Sequence, residues 1–314
     1  MSNSKKIILI TGATAGIGRF TALHLAKLGH HVIASGRKLD ELAKLKAEAK
    51  GLRLDTLALD VTSATSIAAA VSASEQLTNG KGIDVLVNNA GFGVLGPTSE
   101  ITENDMRRQY ETNVFGLMNV TRAFLPKMMQ RRAGRIINIS SIGGRITLPY
   151  FGVYNSTKYA VEALSDGLRY ELRPFGIDVA MIEPGIIRTN FEATAMSGLE
   201  AFAATPYAAA VKKYEAMSKT ADKFASNPIV IAKAITRAVQ ARRPAARYVA
   251  PRSNNVIFLM SALLPRRMWD WAMRLAGSLN AKSLDFTKIR ATTPATENAP
   301  LPPVAKLAEV RAPN

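Results

Sequence analysis

Apolar residues along the chain keep two alternating rhythms. Short runs rich in aliphatic and β-branched residues, "KIILIT", "HVIAS", "LDTLALD", "IDVLVNN", "GRIINIS" and "IDVAMIEPG", are separated by longer stretches of helical character. These are Ile17 to Leu28, Leu39 to Ala49, Ser63 to Leu77, Glu103 to Gln130 and Val153 to Arg173. Strands that are apolar throughout are covered on both faces, and helices between successive strands imply parallel pairing. The pattern predicts an α/β fold, a doubly wound parallel sheet in a single domain over residues 1–290.

After Gly185 the rhythm loosens into an Ala-rich helical lid, about 190–225, placed to overhang the C-terminal ends of the strands. Pro228 suits the first turn of a helix ending near Arg242, and "RYVA" supplies a last strand. A basic helical segment follows at about 252–280. From about 291 to 314 Pro, Ala and Thr dominate with no apolar period, which predicts a disordered tail. In "MSNSKKIILITGATAG" the apolar run is broken after Ile10, too early for a secretion signal, and reads as the first strand. The longest later run, "VIFLMSALL" from Val256 to Leu264, has nine residues against the roughly 20 a spanning helix needs, so no span is expected.

Composition adds exclusions. The 314 residues with 47% apolar content suffice for a full core. With no cysteine there is no disulfide, thiolate nucleophile or Cys-rich zinc site, and a reducing, cytoplasmic compartment is expected. His24, His30 and His31 stand apart from any carboxylate cluster of ligand spacing, so no metal is expected. The formal charge is +17, and between Arg237 and Arg290 eleven Lys or Arg face only Asp270 and Asp285, so 11 − 2 = +9 sits there. Such an excess attracts anionic lipid, nucleic acid or an acidic partner, or maintains solubility. In "LMSALLPRRMWDWAMRLAG", Arg266, Arg267 and Arg274 with Trp269 and Trp271 suit either a peripheral membrane contact or a final helix packed on the sheet or on a second copy. No nucleic-acid reader motif is present, and no nucleic acid is expected as a partner.

Candidate chemistry lies at the strand ends. "TGATAGIG" follows the first strand with Gly12, Gly16 and Gly18 spaced G-x3-G-x-G, where glycines let the backbone approach a phosphate at the positive end of a helix. After the second strand come Gly36 and Arg37 with no acid, an arrangement that accommodates a 2′-phosphate. Asp60 ends the third strand, and Asn88, Asn89 and Gly91 end the fourth. In "YNSTK", Tyr154 and Lys158 share a helix face, which sets an ammonium beside a phenol whose ordinary pKa is about 10 and would draw it toward working pH. Around this cleft Phe92, Val94, Leu95, Tyr150, Phe151, Phe191 and Phe202 suit a lipophilic ketone or alcohol.

In order, "TGATAGIG", "NNAG", Asn113 in "ETNVFG", Ser141 in "NISSIGG", "YNSTK" and "PGIIRT" cover roughly residues 5 to 190. The set resembles the short-chain dehydrogenase/reductase family, and is most similar to its hydroxysteroid and retinol-type branch. The resemblance implies a seven-stranded Rossmann sheet, a nicotinamide cofactor and a homodimer or homotetramer built on the long helices. It implies that Tyr154 is the general acid or base, that Lys158 lowers its pKa and bonds the nicotinamide ribose, and that Ser141 orients the substrate oxygen. Asn113 would hold a helix kink and a water leading protons to the lysine. Gly12, Thr14, Gly16, Ile17 and Gly18 of the turn would hold the dinucleotide, together with Arg37, Asp60, Val61, Asn89, Thr189, Tyr154 and Lys158. With Arg37 the expected cofactor is NADP(H). Two other readings stand beside this one: an epimerase or dehydratase of the related extended fold, against which the single-domain length and the Asn113/Ser141 set argue, and a catalytically idle cofactor sensor or scaffold, which a turnover assay separates.

Overall fold

The computed structural model describes residues 5–189, 191, 195, 199–221 and 225–289. Seven strands, β1 (Ile7–Ile10), β2 (His31–Gly36), β3 (Leu54–Ala58), β4 (Val85–Asn88), β5 (Gly134–Ile139), β6 (Ile177–Pro184) and β7 (Arg247–Ala250), form one sheet in the order β3-β2-β1-β4-β5-β6-β7. Every pairing is parallel, and "RYVA" is the last strand, Met181 to Pro184 standing opposite Arg247 to Ala250. The predicted tail at 291–314 and parts of the predicted lid lie outside the described residues.

Among the described residues the helices are α1 (Gly16–Lys27), α2 (Leu39–Glu48), α3 (Ala64–Leu77), α4 (Glu103–Tyr110), α5 (Leu117–Arg131), α6 (Gly152–Glu171), α7 (Ala208–Ala221), α8 (Ile229–Gln240), α9 (Asn255–Leu263) and α10 (Arg266–Ala276). Successive strand residues point to opposite faces, so an all-apolar strand feeds two cores. Ile8 and Ile10 of β1 pack with Leu25 of α1, Leu45 of α2 and Ile235 of α8. Leu9 packs on the other side with Ile67 of α3, Phe124 of α5 and Leu168 of α6. Adjacent Ile136 and Ile137 of β5 are both fully buried, one in each core, and truncating either to alanine would cost about 2–5 kcal/mol.

The expected helix from Glu103 to Gln130 is not continuous. Glu111–Gly116 is a π turn between α4 and α5, and it presents Asn113 inward. Gly116 fits this wide turn because a Cβ there would stand 2.8 Å from Val61 Cγ2. Chain order reverses across β1 and β4, which places the cleft of a doubly wound sheet at the C-terminal ends of these strands.

Candidate active site

The glycine turn is built against the end of β4. Gly12 has φ +65°, and a Cβ on it would lie 2.8 Å from Ala90 Cα, while one on Gly18 would lie 2.4 Å from Asn89 Nδ2. Asn89 Nδ2 donates to the carbonyls of Thr11 (2.9 Å) and Gly12 (3.1 Å), so its side chain shapes the turn itself. Thr11 Oγ1 completes the joint by accepting from the Asn89 and Ala90 N–H groups. Ala15 at the start of α1 offers no side-chain cap, as at most helix starts among the described residues. Only contacts beyond 3.7 Å would meet a Cβ on Gly16, and these are to Thr189, which brings "PGIIRT" to the same helix end. The uncapped N–H groups at the start of α1, with glycine turns that bring the backbone close, fit an anionic diphosphate.

The second strand's end lies beside this turn. A Cβ on Gly36 would strike the Thr14 methyl at 2.6 Å. Arg37 is 70% exposed and its Nη1 stands 3.9 Å from Asp60 Oδ2. Partial burial opposes ionisation of Asp60, yet hydrogen bonds from the Thr62 N–H (2.9 Å) and hydroxyl (2.7 Å), with Arg37 nearby, hold its carboxyl below the usual range. Ile17 packs on the core, and Val61 is buried against the π turn, so both contribute shape and only their backbone is left to a ligand.

Across the cleft β5 runs into Ser140 and Ser141, and α6 starts eleven residues after Ser141. Ser141 Oγ accepts from the Gly143 N–H at 3.0 Å and hydrogen-bonds the Tyr154 phenol. Tyr154 and Lys158, one turn apart, are 8% and 7% exposed. Lys158 Nζ stands 5.7 Å from the Tyr154 ring centroid and donates to the Ile139 carbonyl at 2.8 Å. Asn113 faces the same point: a Cβ on Gly91 would lie 3.0 Å from its Oδ1 and 3.9 Å from Lys158 Nζ. Ser141, Tyr154, Lys158 and Asn113 therefore converge, although they come from three separate stretches of chain.

Burial dominates the electrostatics of this pair in the chain by itself. Burial pushes the Tyr154 phenol up to about 12, with the Ser141 hydrogen bond opposing only part of the shift. Burial also pulls the Lys158 ammonium down to about 8, against the attraction of Glu162. Lys158 Nζ, beside the ring, gives one of its three N–H donors to the Ile139 carbonyl. The chain by itself holds Tyr154 as a neutral proton donor.

Other readings change too. Asn88, placed among the strand-end polar groups, is buried and donates to Thr121 Oγ1 and Asn138 Oδ1 at 2.9 Å, so it belongs to the core. Leu95, Tyr150 and Phe202 are buried together with Val153, Leu199 and Val211 as the lid's own core. Phe191 stacks 5.5 Å from the Tyr154 ring, Phe151 lies at 6.2 Å and half-buried Phe92 has the Arg108 guanidinium 5.3 Å from its ring centroid, which leaves Phe92, Val94, Phe151 and Phe191 as the apolar wall. Asn155 was missed: its Nδ2 donates to the carbonyls of Gly143 (2.9 Å) and Ile146 (2.6 Å) and fixes the loop after Ser141. It stands inside "YNSTK", yet no spacing rule tells which way it points. His31 Nε2 lies 2.8 Å from Asp55 Oδ2, and among the described residues no group of His, Asp and Glu could hold a metal.

Comparison with known proteins agrees with this geometry. Residues 6–200 match the family model described as short chain dehydrogenase. A 3-ketodihydrosphingosine reductase from Bacteroides thetaiotaomicron is 35% identical over 277 residues, covering 86% of this chain and 97% of the relative. An NADPH-dependent 3-dehydrocapnine reductase from Ornithobacterium rhinotracheale is 33% identical, with 83% and 94% covered. The crystal structure of a short-chain dehydrogenase from Streptomyces avermitilis superposes with a TM-score of 0.67 at 30% identity, covering 87% of this chain and 99% of that one. With the motif order, the parallel sheet and the family match in agreement, this chain belongs to the short-chain dehydrogenase/reductase family.

Proposed function

We propose that this protein is an NADPH-dependent reductase that converts a ketone or aldehyde on a lipophilic substrate to the alcohol, with Tyr154 as the general acid. The observation that carries this reading is the buried Tyr154 phenol, bonded to Ser141 beside Lys158 and kept protonated by its surroundings. A nicotinamide held at this cleft would supply the hydride for the carbonyl carbon. Ser141 and Tyr154 donate toward the carbonyl oxygen, the charge that develops there is stabilised by these donors, and the Tyr154 proton completes the alcohol. Lys158, still mostly charged at neutral pH with a pKa of about 8, favours the transient phenolate. Asn113, held against Thr157 and Gly91, positions this relay.

Arg37 supports the choice of NADPH, because an exposed guanidinium at the end of β2 can take phosphate oxygens in a charge-assisted fork. Two observations support a lipophilic ketone: Phe92, Val94, Phe151 and Phe191 form an apolar wall, and both curated relatives above are named as reductases of a 3-keto or 3-dehydro compound. Exposed Phe115 of the π turn and Tyr159 of α6 suit a homodimer or homotetramer, which light scattering measures.

NADPH oxidation by the full chain against long-chain 3-ketones, steroid ketones, retinoid aldehydes and short polar ketones tests the proposal. Turnover is expected for an apolar carbonyl, and least for the short polar ones. Tight dinucleotide binding without turnover on any carbonyl would replace it with the idle sensor.

A further inference from the structure

The late basic segment folds into α9 and α10, joined at Pro265, and its faces are sorted. On α9, Phe258 is buried, while Val256 (60% exposed), Leu259 (58%), Met260 (49%) and Leu263 (73%) recur at i, i+3, i+4 and i+7 on the outward face. On α10, Trp269 is buried against Ile146 and Phe258, so of the two tryptophans only Trp271 is exposed. Met268 (55%), Trp271 (61%) and Leu275 (62%) form the outward stripe at i, i+3 and i+7. Seven large apolar side chains within twenty residues thus face away from the protein. Soluble surfaces carry such residues singly, and a contiguous group marks a contact.

Charge selects the occupant. α9 carries no charged residue, and Arg252, Arg266 and Arg267 bracket it. On α10, Arg267 and Arg274, seven apart, lie along one border of the apolar stripe, both exposed and without an ion pair among the described residues. From Arg252 to Lys288 there are six basic and two acidic residues, 6 − 2 = +4, and Asp270 is already paired with Arg266 at 3.1 Å. A two-fold contact with a second copy would bring two faces of net positive charge together. An apolar stripe bordered by free guanidiniums, with an exposed tryptophan, complements acyl chains beneath anionic headgroups.

We propose that α9 and α10 form a docking element that lies in the interface of an anionic membrane, with Leu263 and Trp271 entering the acyl boundary and Arg267 and Arg274 meeting the headgroups. The element is fastened to the loop between Ser141 and Tyr154. Arg145, whose Nη1 bonds Glu183 at 3.2 Å, stands 4.0 Å over the Phe258 ring, and Tyr150 donates to the Gly277 carbonyl at 2.7 Å. Docking would hold that loop next to the lipid, where an apolar substrate resides.

Flotation of the full chain with NADPH tests this, using vesicles of phosphatidylcholine alone or with roughly one third phosphatidylserine. Recovery is expected with the anionic vesicles and should fall as salt is raised. Arg267→Gln with Arg274→Gln should weaken partitioning by about five-fold per arginine, about 25-fold together. Leu263→Glu with Trp271→Glu should abolish flotation. All four side chains are exposed, so melting temperatures should stay near that of the wild type. Equal recovery with both vesicle types, no recovery, or variants that float like the wild type would overturn the proposal. So would a Leu263→Glu/Trp271→Glu protein whose only change is a smaller oligomeric mass, since a second copy would then cover the patch.

Discussion

Asn113 and Phe92 exchange two hydrogen bonds, the side-chain amide donating to the Phe92 carbonyl at 2.9 Å and accepting from its N–H at 3.1 Å. A third bond, to Thr157 Oγ1 at 3.1 Å, ties the loop after β4 to α6 immediately before Lys158. The π turn exists where this amide must reach inward, a common use of such turns at functional sites. Asn113→Ala removes all three bonds and strands the Phe92 backbone groups, so a loss of about 2–4 kcal/mol in urea unfolding is expected. Asn113→Asp keeps the acceptor and should lose less. Turnover per folded molecule should fall in both variants.

Tyr154→Phe keeps the ring that packs on Phe151 and Phe191 and deletes only the proton donor. Turnover should fall by about 10² to 10⁴, while the NADPH dissociation constant, followed by fluorescence, stays within a few-fold of the wild type. Retained turnover would sink the assignment of the acid.

Stability should depend on pH through the same pair. Lys158 has its folded pKa lowered to about 8 from 10.5, so between these values the unfolded chain binds a proton the folded one lacks, and stability rises with pH. Tyr154, raised to about 12 from 10, acts in the opposite sense above about pH 10, where the folded state keeps a proton that the unfolded state loses. Unfolding free energies from urea titrations between about pH 7 and pH 10 should rise by on the order of 2–3 kcal/mol before turning over. Lys158→Met should flatten the rise, and Tyr154→Phe the later fall. An unchanged profile in Lys158→Met would show that the ammonium is not desolvated.

Arg37→Ala should raise the Michaelis constant for NADPH by about tenfold to a hundredfold and leave that for NADH nearly unchanged, because NADH has no 2′-phosphate. Ala15 in the turn adds no second cation, so the discrimination rests on one side chain. Equal kcat/KM for the two cofactors in the wild type would place Arg37 in solvent.

The sequence by itself determined the layers and the order of the motifs. A strand apolar at every position has two buried faces, so "IILI" of β1 and the adjacent Ile136 and Ile137 of β5 announced a covered parallel sheet, and the spacing of Tyr154 and Lys158 put them on one face of α6 in advance. Tertiary structure decided what those groups experience. The direction of the Tyr154 shift depends on how deeply α6 buries the phenol, with the Ser141 hydroxyl from the end of β5 opposing only part of it. Leu95, Tyr150 and Phe202 read as cleft lining but proved to be core, because a hydrophobic side chain looks the same in sequence whether it meets a ligand or the lid. The π turn was invisible for a similar reason: helix period follows from local residues, whereas the widening at Asn113 is set by the Phe92 backbone 21 positions away. The sorting of α9 and α10 into a buried and an outward apolar face also needed the fold, since Trp269 and Trp271 are alike in composition and only packing against Ile146 and Phe258 tells them apart.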